Sequence, residues 1–344
     1  MYGEMEQKAF VEDKAGNEGR TSQDMEGNMN LTNCTRTSRF ILVGLPSIWG
    51  MERMMYANVF LLYVLCLMGN GLIIVIVSID RHLQKPMYFF LSNLSLIDIG
   101  HTTAFIPKSL INYISGSNSI CFDCCIIQMC FYFLFGVTEF FIITLISLDR
   151  YLAICHPLRY AIIMTSGVCR KLAITAWFVG FSSIIYQVVM IANLPFCSSN
   201  IIDHFFCDVG PVLQIAGGDI DVIEVLGFLV TMLVVMSSLL FTLISYLFII
   251  CTILRMSSTT SQQRAFSTCA SHLIVVCIFY GSVFFVYLRP TIKNSSFGVI
   301  KSVSVVNAIV APVLNPFIYT IRNNEVKEAI CKVLRKRIPA IPKT

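Results

Sequence analysis

The chain has 344 residues, 56% of them hydrophobic and only 13% charged, with a mean hydropathy of +0.74. Water-soluble domains run nearer half apolar and a quarter charged, so this composition excludes an ordinary soluble fold and marks an integral membrane protein. The net charge of +5 lies in loops and tail without interleaved aromatics, which excludes a nucleic-acid surface and points to the bilayer's anionic leaflet or an acidic partner.

Residues 1 to about 29 are polar, Gly-rich and acidic, with no apolar core for a cleaved signal. They predict a disordered start to an extracellular tail over 1–56, with the first span acting as an uncleaved anchor. Overlapping sequons at Asn30 and Asn33 fall on this tail, and glycosylation is expected at one of them.

Seven apolar windows long enough to cross a bilayer follow: Ala57–Ile79, Met87–Ile111, Cys125–Ser147, Leu172–Ala192, Val222–Ile253, Ala265–Leu288 and Val299–Ile321. They are apolar on all sides and too long for the alternating strands of a membrane barrel. The expected fold is therefore all-α, a seven-helix transmembrane bundle over 57–321. In the tail, 322–344, Val326, Ile330, Val333 and Leu334 recur at helical spacing among basic residues. That pattern predicts a short amphipathic helix on the inner leaflet. Lys and Arg concentrate after the first, third, fifth and seventh windows, so the positive-inside rule puts the C-terminus in the cytosol and the N-terminus outside.

Polar residues inside the windows carry the chemistry. Met129, Tyr132, Gly136, Glu139, Ile143, Ile146 and Arg150 follow steps of three and four, hence one stripe of the third helix. An ionisable Glu139 at mid-membrane must face the bundle interior, as must Asp98 in the second window. The two carboxylates could share a proton or hold a hard cation such as Na⁺, the one cofactor considered; two separately satisfied polar residues are the plainer alternative. Asp149 and Arg150, at the inner end of the third window, read either as an interfacial charge pair or as part of a switch. No metal-binding histidine spacing, phosphate loop or nucleophile elbow is present, so no enzyme is expected.

Seven motifs in order decide between these readings: Gly69-Asn70; PMYFFLSNLSLID from Pro86; SLDRYLAICHPLRY from Ser147; Ser245-Tyr246; RAFSTCASH from Arg264; FYG from Phe279; and PVLNPFIY from Pro312. The chain resembles the olfactory receptors, within the rhodopsin-like G-protein-coupled receptors, from about Thr37 to Arg335. It departs in having Ile146-Ser147-Leu148 for the usual Met-Ala-Tyr, Arg264 for a Lys, and Gly217 at the third loop cysteine.

The resemblance implies a plasma-membrane receptor for a small volatile ligand that activates a stimulatory olfactory-type G protein and raises cyclic AMP. It leaves open a surface-delivery partner. It implies a main disulfide from Cys125 to Cys207 and leaves Cys197 without its usual partner; Cys121, Cys124 or a free thiol are the alternatives. It supports the pairing of Asp98 with Glu139. It places a ligand pocket in the outer half of the bundle at Met129, Tyr132, Phe133, Gly136, Thr231, Val283, Tyr287 and Val305. No Lys or Arg enters this lining, so an alcohol, aldehyde, ketone or ester is expected rather than an anion. The switch and G-protein contacts would be Asp149, Arg150, Tyr151, Tyr246, His272, Tyr280, Asn315, Pro316 and Tyr319. A receptor for a non-odorant metabolite, and a solute transporter or channel, are the competing functions.

Overall fold

The computed structural model describes residues 37–45, 52–197, 199–287, 306–322 and 324–337. A short strand β1 (Arg39–Leu42) precedes helices α1 (Glu52–Ile79) and α2 (Pro86–Ser115); β2 (Ser119–Cys121) leads into α3 (Phe122–Cys155). Then come α4 (Pro157–Ile163), α5 (Ser166–Ala192), β3 (Ile201–Ile202), α6 (Val209–Gln214), α7 (Asp221–Leu254) and α8 (Thr259–Tyr287). A π-helical segment, Val306–Val310, runs into α9 (Ala311–Arg322), and α10 (Asn324–Arg337) ends the described chain. The seven-helix bundle consists of α1, α2, α3, α5, α7, α8 and α9, as the apolar windows predict.

The helices overrun those windows. Helix α3 continues eight residues past Ser147 to Cys155, because Asp149 and Arg150 do not end the helix but are folded into it. Helix α1 begins at Glu52 rather than Ala57, and α2 reaches Ser115 before Gly116, at φ +66°, closes it in the left-handed region that favours glycine. Prolines at the first turns of α2 and α4 and the Thr165 hydroxyl capping α5 fix the starts.

Four of the helices have windows apolar enough to cross a membrane by length and composition alone, and only 28% to 39% of each such window is buried against protein. The outward faces carry Phe60, Met68, Phe178, Leu233, Phe241 and Leu247, all more than half exposed. An apolar exterior of this extent needs lipid around it. Inside, α3 is the central helix and packs against α2, α5, α7 and α8. Close approach uses small residues: a Cβ at Gly180 of α5 would collide with the Thr138 hydroxyl of α3, which already donates to the Leu134 carbonyl at 2.7 Å.

Composition and hydropathy did not foresee the cap at one end of the bundle. Strand β1 pairs antiparallel with β2 and parallel with β3, in the order β2-β1-β3. Phe40 and Leu42 point down from β1 into a cluster with Phe122, Phe196 and Ile202. The Cys125–Cys207 disulfide fastens the long loop to the top of α3. Cys121 and Cys124 bond each other, so neither is the partner of Cys197, and Cys197 is itself disulfide-bonded rather than a free thiol.

At the opposite end, α10 packs through Val326 and Ala329 against the main core, while Cys331 is exposed. Glu325 accepts from Lys85 Nζ at 2.8 Å and from Tyr88 Oη at 2.9 Å. Partial burial works against its ionised form, but these bonds outweigh it and hold the carboxyl below its usual range. An exposed pair of this kind contributes at most about 1 kcal/mol and serves mainly to position α10.

The joint between α1 and α9 depends on a proline. Pro316 lies inside α9 and has no N–H for the Pro312 carbonyl four residues earlier. Asn70 Nδ2 donates to that carbonyl instead, at 3.1 Å, and also to the Cys66 carbonyl at 3.1 Å. Gly69 lets the proline ring come this close: a Cβ there would lie 2.9 Å from Pro316 Cγ. Asn70→Ala should orphan a buried carbonyl at a cost of about 1–3 kcal/mol, read as a lower thermal midpoint and reduced surface level of the receptor. Cys125→Ser should do at least as much harm, since the bridge closes a loop of 82 residues, worth about 4.5 kcal/mol in the chain-entropy account.

Candidate functional site

Beneath the cap lies a partly open cavity of about 140 Å³. Five of the predicted ligand contacts line it: Tyr132, Phe133 and Gly136 from α3, Thr231 from α7, and Val283 from α8. Met129 does not; it is fully buried one turn above, in the cluster that supports the sheet. Val305 and the side chain of Tyr287 lie outside the described residues, as do Asn30, Asn33 and the side chain of Tyr319.

The structure adds lining residues that sequence reasoning missed. Phe140 and Phe279 pack edge to face across the α3–α8 contact, with ring centroids 4.6 Å apart. His101 of α2 reaches the cavity beside Tyr132, at a centroid distance of 4.6 Å. Its signal was its place one turn from Asp98, on the same inward face. Asp208 arrives from the loop and caps α6, accepting from the Val209 N–H at 2.9 Å. The Cys125–Cys207 bridge, one residue away, helps to hold it there.

Both predicted carboxylates face inward. Asp98 is fully buried, and Asn315 Nδ2 donates to its two oxygens at 3.1 and 3.3 Å. Glu139 is 3% exposed and has its Oε2 3.9 Å from His101 Nδ1, with Oε1 unpartnered. Its nearest opposite group is thus an imidazole, which the sequence reading did not assign to it. No cluster of three or more metal-binding side chains occurs among the described residues.

The stripe continues along α3 to the far end of the bundle. Ile143, Ile146, Asp149 and Arg150 are all buried. Arg150 Nη2 lies 3.6 Å from Asp149 Oδ2, and Tyr160 Oη donates to Asp149 Oδ1 at 2.7 Å. Tyr246 of α7 is hydrogen-bonded to His272 Nδ1 of α8. Tyr151 Oη meets His156 Nε2 at 3.1 Å. Between the two ends, Tyr280 Oη donates to Ser238 Oγ of α7 at 3.0 Å, and its ring packs on Phe140. Every described switch residue therefore holds a partner: Arg150 with Asp149, Tyr246 with His272, and Asn315 with Asp98.

The described helices form a membrane bundle with a capped cavity at one end and with paired charges and hydrogen bonds at the other. The olfactory receptor family model matches residues 59–337. The chain is 50% identical to olfactory receptor 6X1 of Homo sapiens over 88% of its own length and 97% of that protein's. It is 44% identical to olfactory receptor 6C1 of Homo sapiens (90% and 98% covered) and 44% identical to olfactory receptor 287 of Rattus norvegicus (88% and 97%). The chain belongs to the olfactory receptor family and is a multi-pass membrane receptor.

Burial pushes the Asp208 carboxyl up to about 6, against the opposing bond from Val209. Between its ordinary value of 3.8 and about 6 the folded chain holds a proton that the unfolded chain releases. Stability from this group therefore falls as pH rises through that window. Asp208→Asn, which can still cap α6, should remove this slope. Its thermal midpoint in detergent should rise above the parent's at pH 7.4 and differ less at pH 4.

Proposed function

We propose that the receptor binds a small, mostly apolar volatile molecule in the capped cavity and, on binding, activates a stimulatory olfactory-type G protein that raises cyclic AMP. In this reading the N-terminus and cap are extracellular and the Arg150 end is cytosolic, in line with the distribution of Lys and Arg. The observation that carries the proposal is one cavity that brings Tyr132, Phe133 and Gly136 of α3 together with Thr231 of α7 and Val283 of α8, α3 being the helix that carries Arg150 at its other end.

The mechanism is a population shift. A ligand against Tyr132 and Phe133 also touches Phe279 and Val283 of α8. A ligand that fits one packing of Phe279 and Tyr280 better than another biases α8 relative to α3 and α7. At the cytosolic end that bias would separate Tyr246 from His272 and free Arg150 from Asp149, giving the G protein a cleft. To move the equilibrium from about 1:99 to 99:1, the ligand needs an affinity ratio between the two packings of about 10⁴. Nucleotide exchange then takes place on the G protein.

Asp98 and Glu139 are proposed as a Na⁺ or shared-proton site that favours the resting packing. The unpartnered Glu139 Oε1 supports it, since a hard cation takes oxygen ligands. A surface-delivery partner would act before any of these steps.

Cells co-expressing the receptor and an olfactory-type G protein, exposed to a broad volatile panel, should show ligand-dependent cyclic AMP. Arg150→Ala, matched for surface level, should lose at least tenfold of that response. Equal responses in parent and variant would overturn the proposed switch.

A further inference from the structure

Besides the Tyr132 phenol, the ionisable groups among the cavity's described lining are two carboxylates, Glu139 and Asp208, and one imidazole, His101. No lysine or arginine joins them. Asp208 stands at the cap, beside the Cys207 bridge to Cys125, and Glu139 is fourteen residues further down α3. At 1.5 Å per residue, about 21 Å of helix separates Cys125 from Glu139, and Asp208 reaches below its bridge to line the same cavity as Glu139.

The floor is incompletely paired. Glu139 Oε1 and both ring nitrogens of His101 are buried and have no hydrogen-bond partner. The 3.9 Å between His101 Nδ1 and Glu139 Oε2 exceeds hydrogen-bond length. Buried polar atoms of this kind are costly unless something satisfies them. Gly136 keeps the approach open: a Cβ there would come no closer than 3.8 Å to His101 Cε1. Above the floor the lining includes the aromatic residues Tyr132, Phe133 and Phe279, and aromatic rings attract cations.

We infer that the cavity selects a small organic amine, whose nitrogen donates to Glu139 and His101 at the floor while its hydrocarbon part fills the space between Tyr132 and Phe279. This rests on the ligand-gated reading above and names the chemical class for that same cavity. An ammonium group carries several N–H donors and a positive charge, so it can satisfy the Glu139 carboxylate and a neutral imidazole nitrogen together. An alcohol supplies one donor and no charge. A ketone, aldehyde or ester can accept from an imidazole N–H of His101 but leaves the Glu139 carboxylate without a donor. A carboxylic acid places like charge against Glu139 and must pass Asp208 on the way. An apolar cavity of about 150 Å³ holds a benzene molecule, which limits the body to one small ring or a short chain.

The test is a matched series on one skeleton: benzylamine, benzyl alcohol, benzaldehyde and benzoate. Cyclic AMP is read in cells expressing the intact receptor, and thermal shift is read on the purified receptor. Benzylamine should act at a concentration about tenfold or more below benzyl alcohol, the difference a charge-assisted hydrogen bond makes. Benzaldehyde should be weaker still and benzoate inactive. Benzylamine should also give the largest rise in melting temperature of the unmodified protein, a readout that needs no variant to fold. Glu139→Gln, at matched surface level, should abolish the advantage of the amine over the alcohol.

Equal potency of amine and alcohol, an aldehyde or acid that outranks the amine, or no thermal shift with benzylamine would each overturn the amine assignment. The receptor reading fails separately, if the broad volatile panel and the Arg150→Ala comparison show no ligand-dependent signal.

Discussion

A single carbonyl, that of Pro312, has lost its helical partner to Pro316, and the way α1, α2 and α9 meet follows from how it is satisfied. Lipid supplies no hydrogen-bond donor, so a backbone carbonyl freed at this depth is costly unless the protein provides one. Asn70 crosses from α1 to the Pro312 carbonyl, Gly69 clears the space for the proline ring, and Asn315 turns to both oxygens of Asp98 on α2. The three helices are thereby tied by polar contacts that are strong because nothing competes for them. Helix α3, packed against α2, takes its position from this joint.

The same economy shapes α3. Its inward stripe carries aromatic residues at the cap, Glu139 at mid-depth and Arg150 at the far end, and each meets a different neighbour. The cap end is held by covalent and strand links: β1 lies between β2 and β3, and Cys207 is bonded to Cys125. Gln128 adds a polar tie there, donating to the Ala104 carbonyl at 3.1 Å and accepting from the Cys207 N–H at 2.9 Å. The far end has no disulfide or strand among the described residues; an apolar cluster around Tyr246, Ile249 and Ile253 holds it, together with hydrogen bonds and the Asp149–Arg150 pair. A ligand-biased equilibrium requires that the ligand bind one packing of these helices more tightly than another.

Glu139 stands between these regions. Toward the cap it faces His101 and the cavity, and toward α9 it lies near the Asp98–Asn315 contact. A group so placed can couple what occupies the cavity to the packing of the lower bundle through its own charge. The aromatic contacts of Phe140 with Phe279 and Tyr280 provide a second, apolar route along the same helix.

Much of this was legible in the chain itself. Hydropathy requires the helices, because an apolar stretch of bilayer length has few other stable environments, and periodicity places Tyr132, Gly136, Glu139 and Arg150 on one face. The Gly69-Asn70 pair and Pro316 announce a close helix contact, although not which carbonyl they serve. Other features were not legible, since they join residues distant in sequence. Strand β1 is four residues long and acquires its meaning only from partners about 80 and 160 positions away. Met129, on the right stripe, was diverted to support the cap because the loop folds over it. His101 met Glu139, and Asp208 entered the cavity, through helix packing and a disulfide that no local pattern encodes. Local chemistry thus determined the elements and their inward faces; the tertiary structure decided which buried polar group faces which, because in a lipid-excluded interior that pairing depends on distances between helices rather than on order along the chain.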